Sequence, residues 1–109
     1  MKIKVNNQTW KVKEVSSQNY KLVIDGTYRQ GATHFHKQTV YLSKKLSKER
    51  KREVLLHELT HCFLYATQAY YNKESFSEEE LCEVMALYGE KITDIMRTYF
   101  ERKQEKRNR

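Results

Sequence analysis

Polar and apolar residues alternate at period two through the first third of the chain. The segments Lys2 to Val5, Thr9 to Val15, Tyr20 to Asp25 and Thr39 to Ser43 alternate or cluster β-branched and aromatic residues, which predicts short strands. Asn6-Asn7 suits a tight hairpin, Asp25-Gly26 a second turn, and Gly31 another break, so a meander of three or four antiparallel strands is the simplest arrangement. From Leu46 the period changes. Ser47 can cap a helix in which Val54, Leu55, Leu59, Cys62, Phe63 and Ala66 recur at three- and four-residue spacing, ending before Asn72-Lys73. Ser77-Glu78-Glu79-Glu80 is a capping box, with Phe76 placed to staple against Leu81. Leu81, Met85, Tyr88, Ile92, Ile95 and Tyr99 then form a stripe that predicts a last helix to about residue 100 with one buried face. The pattern as a whole predicts a small α+β fold, an N-terminal antiparallel sheet of three to four strands followed by two helices.

Length and composition narrow the picture. The chain has 109 residues, no proline and no internal repeat, so residues 1–109 read as one domain without a linker. Eight Tyr and four Phe within a 39% hydrophobic composition are enough to close a small core. The longest stretch without a charged residue, Leu59 to Asn72, is too short to span a membrane. Met1 to Val5 lacks the apolar block of a secretory signal, so a cytoplasmic location is expected. Cys62 and Cys82 each sit in an apolar helical pattern and are expected as buried thiols rather than a disulfide.

The net charge of +7 is concentrated. Lys44 to Glu53 holds six basic and two acidic residues, and Glu101 to Arg109 five and two. Nucleic acid or an acidic protein could engage such runs, but neither is interleaved with aromatics, and a solvated helix face and a frayed basic tail account for them more simply.

The chemistry lies in His57-Glu58-Leu59-Thr60-His61, an HExxH pattern inside a helix rather than a loop. Residues i and i+4 share a helix face, so the two imidazoles can converge on one zinc ion. Glu58 projects beside them, placed to take a proton from an attacking water and deliver it to a leaving amine. A hydrogen-bonded helix face that holds no metal is the plain alternative. A catalytic zinc needs a third protein donor. The Glu-rich start of the next helix is the obvious source: Glu79 lies 18 residues after His61, and Glu79 and Glu83 share a helix face, so one carboxylate can bind metal while the other receives a ring N–H of a ligating histidine. Glu78 and Glu80 compete, and helix capping alone explains acidic residues in a first turn.

Taken together, His57-Glu58-Leu59-Thr60-His61 followed by Glu79-Glu80-Leu81-Cys82-Glu83-Val84-Met85-Ala86 resembles the gluzincin layout. It is most similar to small zincin-like proteins of bacteriophages and mobile elements near the ImmA/IrrE metallopeptidases. The resemblance covers roughly residues 39 to 90. It implies His57, His61 and Glu79 as zinc ligands, Glu58 as general base, Glu83 behind the ligands, and a polypeptide substrate. It further implies that the strand before the active helix, through Val40, Tyr41 and Leu42, forms the cleft edge and pairs with extended peptide. The proline-containing ending usual after the Glu helix in ImmA/IrrE proteins is missing, since the chain has no proline.

Lesser candidates remain. His34 and His36 flank Phe35 on one strand face and read as exposed strand histidines, and Tyr65, Tyr70 and Tyr71 could donate to an oxyanion but are explained equally by packing. Two functions follow: a zinc metallopeptidase, or a zincin-fold binding protein that engages a host protein or nucleic acid through its basic surface.

Overall fold

The structure is a computed structural model and describes residues 1–107. Strands β1 (Lys2–Val5) and β2 (Gln8–Val15) form a hairpin whose two turn residues, Asn6 and Asn7, both take positive φ. That is the twist a two-residue hairpin needs. A short 3-10 turn at Tyr20–Leu22 leads to a two-residue ribbon, β3 (Val23–Ile24) and β4 (Thr27–Tyr28), closed at Asp25-Gly26 with both residues at positive φ. Strands β5 (Gly31–His34) and β6 (Thr39–Ser43) complete a four-stranded sheet of order β1-β2-β6-β5. Helices α1 (Lys48–Thr67) and α2 (Glu78–Arg107) follow.

The α+β class is as the pattern predicts, but the sheet is mixed rather than antiparallel throughout, because β2 and β6 run parallel. Local turn signals specify hairpins and are blind to a pairing between strands separated by the whole β3–β5 excursion. The predicted strand over Tyr20 to Asp25 divides into the 3-10 turn and β3, and β5 lies where only a break was expected.

Alternation along β1 and β2 sends Ile3, Val5, Trp10 and Val12 to the helix side and Lys2, Lys4, Lys11 and Lys13 to solvent. Val40 and Leu42 of β6 join the same core, closed by Leu55, Leu59, Cys62 and Phe63 of α1 and by Ile92, Met96 and Tyr99 of α2. A smaller cluster of Leu22, Ala32 and Tyr41 covers the opposite face of the sheet.

Ser47 caps α1 by accepting from the Arg50 amide, and Gln68 ends it in the left-handed conformation. The capping box of α2 is in place, Ser77 Oγ accepting from the Glu80 amide and Glu80 Oε1 from the Ser77 amide, each at 3.1 Å. The buried face of α2 is shifted from the predicted stripe. Leu81 and Met85 are exposed, and burial begins at Val84 and continues through Ile92, Met96 and Tyr99. Of the buried residues of α2, Ile92, Met96 and Tyr99 belong to the core cluster, so it is the middle of the helix that meets the core. The helix continues to Arg107, which turns most of the expected frayed tail into helix; residues 108–109 of that tail lie outside the described residues. Cys62 is buried, with its thiol pKa raised by that burial, whereas Cys82 is exposed, contrary to expectation. Among the described residues no helix is long and apolar enough to cross a membrane.

One inward position on β2 carries a charge. Glu14 follows Trp10 and Val12 on the helix side and receives hydrogen bonds from Lys51 of α1 (2.7 Å) and from Tyr99 and Lys103 of α2. Burial alone would raise the carboxyl pKa, but the hydrogen bonds from Lys103, Lys51 and Tyr99 outweigh it and bring it down to about 2. A depressed carboxyl pKa stabilises the fold above the unfolded value and loses that contribution as pH falls through the folded one. Glu14→Gln is therefore expected to cost about 1–2 kcal/mol at pH 7 in urea denaturation. The deficit relative to wild type should shrink as the pH drops from about 4.5 toward 2.

Candidate active site

His57, Glu58 and His61 occupy the central turns of α1. Leu55, Leu59 and Cys62 seat the helix on the sheet, which leaves His57 and His61 on an exposed flank and turns Glu58 toward β5, where it is 7% exposed. The two imidazole Nε2 atoms lie 3.2 Å apart and the rings meet edge-on. Two imidazoles bound to one tetrahedral ion at about 2.0–2.1 Å hold their nitrogens about 3.3 Å apart. The separation of the histidine pair therefore matches what a shared divalent ion would need. Desolvation lowers the pKa of His61; the Glu58 carboxylate opposes this and His57 adds to it, and the net shift favours the neutral ring a metal ligand requires.

Two residues of β5 on one strand face hold Glu58. Thr33 Oγ1 donates to Glu58 Oε1 at 2.8 Å. Gly31 supplies clearance, since a Cβ there would lie 2.5 Å from Val54 Cγ1 and 3.2 Å from Glu58 Cγ. Neither was singled out in sequence as part of a site; the only signal was the glycine, read as a break.

The three HExxH side chains open on a cleft of about 780 Å³ between α1 and the β3–β4 ribbon, with Ile24, Tyr28, Arg29 and Gln30 on the far wall. Arg50 spans one end, donating from Nε to Gln30 Oε1 (2.7 Å) and pairing with Glu53 (2.9 Å).

The expected substrate strand requires correction. Val40, Tyr41 and Leu42 of β6 are buried and hydrogen-bonded on both sides, to β2 and to β5, so they offer no free edge. The strand preceding the helix in sequence is interior, and the edge beside the cleft is β5. Ser43 N donates to Gln30 O at 2.9 Å. Alternation in an antiparallel pair then turns the backbone of Ala32 and His34 to β6 and that of Gly31 and Thr33 outward.

The acidic candidates are placed differently from the histidines. Glu80 is engaged by its capping box and by Lys73. Glu83 accepts from the Tyr70 hydroxyl at 2.7 Å, a bond that pushes the tyrosine pKa up to about 12, so its partner is Tyr70 and not a ligating imidazole. Glu79 is exposed on the first turn of α2. Among the described residues no three His, Cys, Asp or Glu side chains are grouped to hold a metal, so Glu79 is not gathered with His57 and His61. His34 is engaged elsewhere, with Nε2 2.8 Å from the Lys21 carbonyl, and His36 is exposed. Tyr65 and Tyr71 pack around Phe35.

A family model described as the IrrE N-terminal-like domain, a peptidase family, matches residues 17–88. The chain belongs to this family. No curated protein and no solved structure matches it. The matched span contains β3 to β6, α1 and the first third of α2, which is to say the whole of the cleft. Membership makes this a metallopeptidase-like domain.

In this IrrE-like domain the close approach of β5 and α1 is sterically testable. Gly31→Ala should destabilise by about 1–3 kcal/mol through overpacking. Val54→Ala added to it should recover part of that loss, a positive coupling read from denaturation of the two single variants and the double.

Proposed function

We propose that this IrrE-like domain is a zinc-dependent metallopeptidase acting on a polypeptide laid along the open edge of β5. The observation that carries the reading is the meeting of His57 and His61 at 3.2 Å beside a buried Glu58 whose carboxylate is oriented by Thr33. His57 and His61 would hold the ion, and Glu79, the position the gluzincin layout implies, would be the third donor, Glu80 and Glu83 being already engaged. When bound, zinc supplies Lewis acidity toward the scissile carbonyl and the attacking water.

The chain's own residues supply the rest. Thr33 keeps Glu58 Oε1 fixed, leaving Oε2 to take the proton of the attacking water and pass it to the leaving amine. The outward backbone groups of Gly31 and Thr33 pair with an extended peptide and bring its carbonyl along the cleft. A second reading, a binding protein that keeps the zincin shape without hydrolysis, is favoured by one observation, the absence of a grouped third donor among the described residues.

Metal content distinguishes them. Protein purified without chelator should carry one equivalent of zinc by elemental analysis, lost in His57→Ala and in Glu79→Ala. Loss in His57→Ala alone would move the third donor away from Glu79. A wild-type chain that neither carries nor takes up zinc would overturn the peptidase reading. Glu58→Gln should keep the metal and lose about 10²–10⁴-fold in hydrolysis of a fluorogenic casein, and Thr33→Val should lower hydrolysis with zinc content unchanged.

A further inference from the structure

The two basic runs are some fifty residues apart in sequence and meet in the fold. The first turns of α1 and the last turns of α2 enclose a depression of about 390 Å³ whose lining includes Lys48, Lys51, Arg52, Lys103 and Arg107. Glu101 is the one carboxylate in that lining. A second depression of about 420 Å³ shares Lys103 and continues over the other side of α2 to Arg102, Lys106 and Lys2. A third, of about 560 Å³, shares Arg102 and Lys2 and adds Lys4. The three adjoin through these shared cations, and although Glu101, Glu14 and Asp94 stand one in each lining, basic residues outnumber them in all three, so a net cationic band runs around the C-terminal half of α2.

Internal pairing does not neutralise it. Glu14 engages Lys51 and Lys103, and Asp94 engages Arg97, but Lys2, Lys48, Arg52, Arg102, Lys106 and Arg107 form no ion pair among the described residues. Arg52 is held over the Phe100 ring at 4.9 Å, which fixes its guanidinium at the groove. Lys2 stands directly opposite Lys11 in the β1–β2 register, a like-charge pair that costs stability unless an anion lies across it. Meanwhile residues 54–100 hold three basic and eight acidic residues, so the excess positive charge lies outside that segment.

We propose that this band binds nucleic acid through its phosphate backbone. The continuity of the band matches a ligand with charge repeated along its length. The α1–α2 groove is lined by residues of the two helices and by Leu46, so a polypeptide would find no strand edge there to pair its main chain with, whereas phosphates need only the cations. Lys48 and Arg52 project from the face of α1 opposite His57, so bound nucleic acid leaves the HExxH cleft open. Arg97 to Arg107, Lys2 and Lys4 also fall outside the 17–88 span matched by the family. The inference stands independently of the peptidase reading.

The test is fluorescence anisotropy with a labelled 20-nucleotide DNA, single-stranded and duplex, from 50 to 300 mM NaCl. Binding in the range of about 1–100 μM is expected, weakening steeply with salt. Lys48→Gln/Arg107→Gln and Arg102→Gln/Lys106→Gln should each lower affinity at least tenfold and reduce the slope of log K against log salt by about 1.4–1.8. Lys37→Gln/Lys91→Gln removes the same charge away from the band and should leave binding unchanged. Thermal melts of all variants exclude loss of fold, and the two band variants probe separate sides of α2, so one unstable variant leaves the other decisive. No binding at 50 mM NaCl, or equal loss in the Lys37/Lys91 control, would overturn the proposal. So would polyglutamate displacing the DNA at equal charge concentration, which would point to an acidic protein partner.

Discussion

The seating of α1 against β5 is the constraint on which the rest of the structure depends. Gly31 leaves no side chain where one would strike Val54 at 2.5 Å, and the helix settles into that space. Because α1 lies so close, Leu55 and Leu59 reach the core of the sheet. The same closeness lets Glu58 meet Thr33 and leaves the histidines on the flank that opens into the cleft. Packing and chemistry therefore share one clearance: a larger residue at 31 would displace the buried helix face and the carboxylate together.

Glu14 ties the other ends of the two helices to the sheet. It is an anion on the core side of β2, compensated by cations from α1 and α2 and by the Tyr99 hydroxyl. Removing one partner of such a cluster leaves an uncompensated charge in a partly dry site, which costs more than the cluster contributes as a whole. The cluster also consumes Lys51 and Lys103, so the free positive charge of the groove comes from their neighbours.

Metallopeptidase chemistry needs ligands, a base and a place for the substrate, and this domain meets these demands unevenly. In the proposed reading two ligands and the base come from a single helix, where spacing alone sets their geometry. The place proposed for substrate is the open edge of β5, and the order of strands in the sheet decides that β5 is an edge. The third donor depends on how the acidic start of α2 stands relative to α1, and that start is committed to capping, to Lys73 and to Tyr70.

The sequence by itself determined what short-range physics controls. The Asn6-Asn7 and Asp25-Gly26 turns, the Ser47 cap, the Ser77–Glu80 capping box and the helical placement of His57, Glu58 and His61 all depend on residues within about one turn of one another, and each was legible. The family resemblance was legible for the same reason, because its motif is local. Only the tertiary structure decided the parallel pairing of β2 with β6, which makes β6 interior and leaves Val40, Tyr41 and Leu42 without a free edge. It likewise decided the roles of Gly31, Thr33 and Glu14, the shift of the buried face of α2 past Leu81 and Met85, and the meeting of the two basic runs. Each of these joins segments far apart in the chain, and periodicity along one segment carries no information about which distant segment it will face.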